Sequence, residues 1–169
     1  GKLDGDRMTQ YDEDGGTSKI YMQNFDGFYD SWEAEKGKEG ESYFDNGALW
    51  LKCKGKEGYT RKEYMDVDTK NDFSIETGLR FYYGETFQVF YGFKDFQNYH
   101  GVTINKRGFI KLMHVYEGIN IEKGDWYKIS VSNTWNILKI LRMGENVYVS
   151  FNGNVVASYK FNKLYGNYF

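Results

Sequence analysis

Two pairs of carboxylates stand two residues apart in this chain, Glu33/Glu35 and Asp66/Asp68. On a strand that spacing puts both side chains on one face. A retaining glycosidase needs two carboxyl groups roughly 5–5.5 Å apart, one as nucleophile and one as acid, and such a pair comes near that. Carboxylates on exposed strands and turns are ordinarily just solvated, however, so no catalytic residue is assigned. Asp66, Asp68 and Asp72 together offer the several oxygens that calcium takes from a flexible loop. Lys70 stands where an EF-hand has Asp or Asn, and the glycine that should follow is missing. Asp26 and Asp30 are a second acidic candidate, and turn residues capping local backbone compete with both readings. His100, His114 and Cys53 are the imidazole and thiol ligands present, and no two have zinc-ligand spacing. Cys53, on a strand, reads as a small core side chain. His114, in phase with Ile110 and Leu112, reads as a packed one.

A different chemistry suits the polar face of the central strands. Opposite the apolar register lie Glu76, Arg80, Tyr82, Gln88 and Phe90, with Tyr99, Thr103 and Lys111 joining them. Sugars are bound by flat aromatic rings against their C–H faces and by forked polar side chains that reach hydroxyls. The competing reading is a half-wet sheet face with Glu76 and Arg80 in cross-strand charge pairs.

The elements that carry these residues are strands. The region from Trp126 to Phe161 alternates apolar and polar residues in four runs, and Asn152-Gly153 between two of them is the strongest short hairpin signal. Val147, Val149 and Phe151 fall on one face, and Val155, Ala157, Tyr159 and Phe161 repeat the period after the turn. Upstream, Phe73, Ile75, Thr77, Leu79 and Phe81 form one stripe, and Phe87, Val89, Tyr91 and Phe93 another. With about ten to twelve short strands and no window of 3.6 period, the chain is all-β, and two packed antiparallel sheets are the economical arrangement. An eight-stranded barrel uses too few strands.

At 169 residues the chain is long enough for one sandwich with a full core. Residues 20–169 are expected to form it, with the Gly-rich, acidic residues 1–19 as a linker or loosely held tail. That tail holds five acids against three bases, so its removal leaves a body with equal numbers of each sign. A neutral body lacks a phosphate-binding footprint, and nucleic acid is not expected as a partner. No apolar run approaches membrane-spanning length. Aromatics make up 20% of the chain, more than a domain this size buries, which points to a contact surface. A start at Gly1 is expected of a processed or trimmed chain.

Several stations in order resemble the concanavalin A-like, or laminin G-like, jelly-roll sandwiches. Phe25-Asp26 and Trp32 are similar to the opening loop, and Asn46-Gly47-Ala48-Leu49-Trp50-Leu51 to a characteristic early strand. Asp72 to Glu76 resembles the strand that opens the central sheet. Trp126 before Tyr127, Val147 to Gly153, and Tyr165-Gly166-Asn167 complete the likeness over residues 25–169. It implies a two-sheet antiparallel jelly roll and a shortlist of lectins, carbohydrate-binding modules, glycoside hydrolases and interaction domains. Hydrolase members carry E-x-D-x-x-E, and neither carboxylate pair extends to it. The expected function is therefore a non-catalytic carbohydrate-binding module, secreted or periplasmic, with Glu76, Arg80, Tyr82, Gln88, Tyr99 and Lys111 as ligand contacts. No cofactor is expected unless Asp66, Asp68 and Asp72 take calcium. The alternatives are a protein-interaction domain, or a glycoside hydrolase whose carboxylates are not identified. Such domains continue past the Tyr165-Gly166-Asn167 turn into a last strand, so either Ile20 to Phe25 supplies it here, or the chain is a trimmed piece of a longer one, or an edge stays open for a partner.

Overall fold

A computed structural model describes the backbone of residues 2–4, 7–11 and 17–21, and residues 33–46, 48–54, 72–81, 84–121, 124–161, 163–166 and 168 with their side chains. Every regular element among them is a β-strand, and none is a helix able to cross a membrane. The chain divides into two units, Gly1–Met65 and Asp66–Phe169.

In the first unit, β1 (Lys2–Asp4), β2 (Arg7–Tyr11) and β3 (Thr17–Tyr21) pair antiparallel in that order. The stretch expected as a tail is thus a three-stranded sheet. Its β-formers Thr9, Tyr11, Thr17 and Ile20 alternate in sequence with runs rich in Gly and Asp. Ile20 and Tyr21 pair with β2, and residues 22–25 of the stretch expected to complete the sandwich lie outside the described residues. The second sheet is β4 (Glu35–Lys36), β5 (Gly40–Asp45) and β6 (Ala48–Cys53). Tyr43 and Trp50 are cross-strand partners with parallel rings 6.2 Å apart. Glu41 takes Lys54 at 2.9 Å and Lys52 at 3.3 Å, and these cations lower its pKa. Cys53 is exposed rather than packed in a core, because β6 is buried only at its first residue.

The second unit is an all-β sandwich. One sheet runs β15 (Asn154–Lys160), β14 (Asn146–Phe151), β13 (Asn136–Met143), β7 (Phe73–Leu79). The other runs β11 (Ile119–Asn120), β10 (Phe109–Tyr116), β9 (Asn98–Asn105), β8 (Thr86–Asp95), with β12 (Tyr127–Lys128) also pairing with β10. The inward residues alternate as the apolar periods require, and Tyr91, Val102, Ile104, Ile110 and Leu112 of one sheet form a common core with Leu79, Leu138, Ile140, Val147, Val149 and Phe151 of the other. Asn152 and Gly153 take φ of 49° and 81°, the two left-handed residues of a type I′ turn.

Two bulges shift the expected alternation. In β8, Tyr91 pairs with His100 but Asp95 pairs with Asn98, so three residues oppose one, and Gly92 absorbs the kink at φ 58°. Phe93 therefore leaves the inter-sheet core for a cluster on the other side with Tyr99 and Val115. In β15, Val149 pairs with Ala157 and Ser150 with Val155, so Val156 is the extra residue. Val156 packs on the core, and Val155 turns out to 68% exposure. Beyond β15 the chain returns along β8, where Phe93 and Tyr168 form an antiparallel bridge.

Candidate functional site

The outer face of the four-stranded sheet gathers two of the residues read from sequence and two that were not, Lys139 and Trp135. Glu76 points away from the core on β7, opposite Lys139 on β13, with 3.9 Å between the charged groups. This is the cross-strand pair considered as the competing reading. Both side chains are well exposed, so the pair contributes a few tenths of a kcal/mol, ~0.2–1 at most, and both groups can exchange it for a ligand hydroxyl. The antiparallel ladder ends at the Leu79–Asn136 pair, and Arg80 follows it on one strand as Trp135 precedes it on the other. Arg80 is exposed. Trp135 is 53% exposed, and its indole lies over Gly78, whose missing Cβ would stand 3.5 Å from the ring. A glycine at that outward position lets a large ring lie on the backbone. Further across the face come Ile137, Tyr148, Ser150 and Ser158 in register with β7 and β13.

The loop that presents Trp135 is built rigidly. Asn136 is fully buried, and its Oδ1 accepts the Ser132 amide at 2.7 Å and the Asn152 side-chain amide at 3.0 Å. Its Nδ2 donates to the Ser132 carbonyl at 3.0 Å, and more loosely to Leu79 and Thr134. Asn152 in turn donates to the Ser130 carbonyl and accepts the Ile137 amide. Ser132 and Thr134 join hydroxyls at 2.8 Å. Both amide side chains are thus satisfied at several points, and Val131 packs against the core, which together fix residues 130–137. On the far arm of the same loop, Lys128, Ile129 and Ser130 line an open cleft of about 350 Å³ with Phe151, Asn152, Asn154 and Val156.

The remaining sequence candidates lie elsewhere. Gln88, Tyr99 and Lys111 are on the outer face of the five-stranded sheet, so the sandwich separates them from Glu76 and Arg80. Tyr99 is only 8% exposed, its ring edge-on to Phe90 with centroids 5.1 Å apart, and burial raises its pKa. Gln88 donates to the Thr103 hydroxyl at 3.1 Å, and Thr103 contacts the Met113 sulfur at 2.9 Å. Alternation cannot distinguish the outer faces of two sheets, and that is why the six were read as one surface. Tyr82, Asp66, Asp68, Asp26 and Asp30 lie outside the described residues. Asp72 accepts the Gly144 amide at 2.7 Å, which caps the β13–β14 turn. Glu33 and Glu35 are exposed beside β5, where the Glu35 amide donates to Ser42. Among the described residues no three His, Cys, Asp or Glu side chains gather as a metal site. Trp135 was missed because it breaks the alternation of its neighbours. The available signal was a tryptophan set among the turn residues Ser132, Asn133 and Thr134.

Protein-family models, curated proteins and solved structures give no match to this chain.

Proposed function

We propose that the sandwich is a non-catalytic carbohydrate-binding module that reads its ligand on the outer face of the four-stranded sheet. The observation that carries this reading is Trp135, a half-exposed indole held on a rigid loop over Gly78. A sugar ring lays its C–H face on the indole, and Arg80, Glu76 and Lys139 reach the hydroxyls that point along the sheet. Arg80 supplies a planar donor fork, Glu76 accepts, and the lysine adds a mobile donor. A preorganised aromatic on a stapled loop loses little entropy on binding, which favours stacking over collapse into the protein.

The sequence likeness to concanavalin A-like jelly rolls supports the same reading, since lectins and carbohydrate-binding modules are among them. Gln88, Tyr99 and Lys111 then belong to a different face, and the ligand contacts contract to Glu76 and Arg80 with Trp135 and Lys139 added. The chemistry needs no metal, and calcium on Asp66, Asp68 and Asp72 is the variant to test. The full chain is screened on a broad glycan array, once with calcium and once with chelator. Binding in both arms is expected. Loss in chelator alone would assign a calcium requirement, and silence in both would overturn the reading in favour of a protein partner.

A further inference from the structure

The open cleft beside the Trp135 loop is framed by the same residues that hold Trp135. Its volume of about 350 Å³ falls within the range of small-ligand sites, ~300–1,000 Å³. One wall is the segment from Lys128 to Ser130, where the Ile129 amide donates to the Gly108 carbonyl at 2.9 Å. The other wall is the end of the β14–β15 hairpin. The bulge in β15 turns Val156 into that wall, and bulges commonly re-aim a side chain beside a site.

The lining mixes two chemistries. Ile129 and Val156 are half-buried and apolar, whereas Lys128, Ser130 and Asn154 are polar and exposed. Among the residues that line the cleft, Lys128 carries the only charge, so its ammonium has no counter-charge there. An apolar wall with a few polar groups suits a ring that has one C–H face, several hydroxyls and a negative charge.

Asn152 belongs to both places. It lines the cleft, and its Oδ1 accepts the Ile137 amide at 2.8 Å, two residues from Trp135. Gly78, under the Trp135 indole, lies on β7, and β13 separates β7 from β14. Two strand spacings make about 10 Å, which is longer than one sugar ring and within reach of a short chain of them.

We infer, resting on the carbohydrate reading above, that the ligand is an acidic oligosaccharide that occupies both places. One ring stacks on Trp135, and a further uronic-acid ring enters the cleft. There its C–H face lies against Ile129 and Val156, Ser130 and Asn154 reach its hydroxyls, and Lys128 takes its carboxylate.

The test is titration calorimetry of the full chain with oligogalacturonates of one to six residues, beside cello-oligosaccharides of the same lengths as the neutral series. Affinity for the acidic series is expected to rise about tenfold or more from the single residue to the longer chains. At equal length the acidic chain should bind about fivefold more tightly, the upper end for a solvent-facing charge pair, and added salt should narrow the gap. Lys128→Gln should bring the acidic series down to the neutral one, and Trp135→Ala should weaken both. Binding that depends on Trp135 but not on length, equal affinity for the two series, or an acid preference that survives in Lys128→Gln would overturn this inference and leave the module reading standing. Binding of neither series by a chain that holds a glycan on the array would overturn it too. A chain silent on the array would overturn the module reading and this inference with it.

Discussion

Removing the Asn136 side chain would leave the Ser132 amide and the Asn152 side chain without their acceptor and would free three carbonyls at once. A buried group stranded in this way costs about 1–3 kcal/mol. Urea unfolding of Asn136→Ala should accordingly show a loss of about 3 kcal/mol, near the upper end because more than one partner is orphaned. A loss below about 1 kcal/mol would mean that the loop is held by something other than this amide. Glu76 and Arg80 were legible in the sequence, since strict alternation around Phe73, Ile75 and Leu79 leaves them on the polar side. Trp135 was not, because its position depends on a loop stapled by the Asn136 side chain at the start of β13 and the Asn152 side chain of the β14–β15 turn, and no local pattern records that. Cys53 misled for a related reason: alternation gives a face but not whether anything covers it.

At the scale of elements, the hairpins from β13 to β15 were legible because Asn152-Gly153 and the valine stripe agree on one register. The bulges were not. An inserted residue leaves the composition of a strand untouched and only reverses its phase, so Phe93 and Val155 read as residues of the inter-sheet core, whereas Phe93 is buried in a separate cluster with Tyr99 and Val115 and Val155 is exposed. Gly92 is the one visible trace of the first bulge. It has φ 58°, and a methyl group there would run into the Leu164 side chain. Gly92→Ala should therefore cost about 2 kcal/mol or more, through strain and the displaced segment together. Thermal unfolding beside Gly144→Ala checks this. Gly144 shares the positive φ but has open space around it, so the alanine there should cost less. Equal costs would show that only the backbone angle matters.

Over the whole molecule, the buried His100 couples stability to pH. The folded pKa of His100, about 4, lies below the ordinary value of 6.5, so the unfolded chain binds the proton first. The contribution is fully present above pH 6.5 and is lost as the pH falls from 6.5 towards 4. It amounts to about 3 kcal/mol, at about 1.4 kcal/mol per unit. Urea midpoints measured at pH 7.5, 5.5 and 4.5 should fall in that order, and those of His100→Gln should fall less. A midpoint independent of pH over this window would contradict the buried, neutral imidazole. The sandwich was legible at this scale from strand number and period. The strands of residues 2–21 were not, because acidic and glycine residues dominate the count there.

The most direct measurement is the affinity of the strongest array glycan for the wild-type chain and for Trp135→Ala, at matched thermal stability. Stacking on an exposed indole, with the area it buries, is worth about 1.5–3 kcal/mol, so the variant should bind roughly ten- to a hundredfold more weakly. Equal affinity in the two proteins would contradict the account and move any glycan site away from the four-stranded sheet.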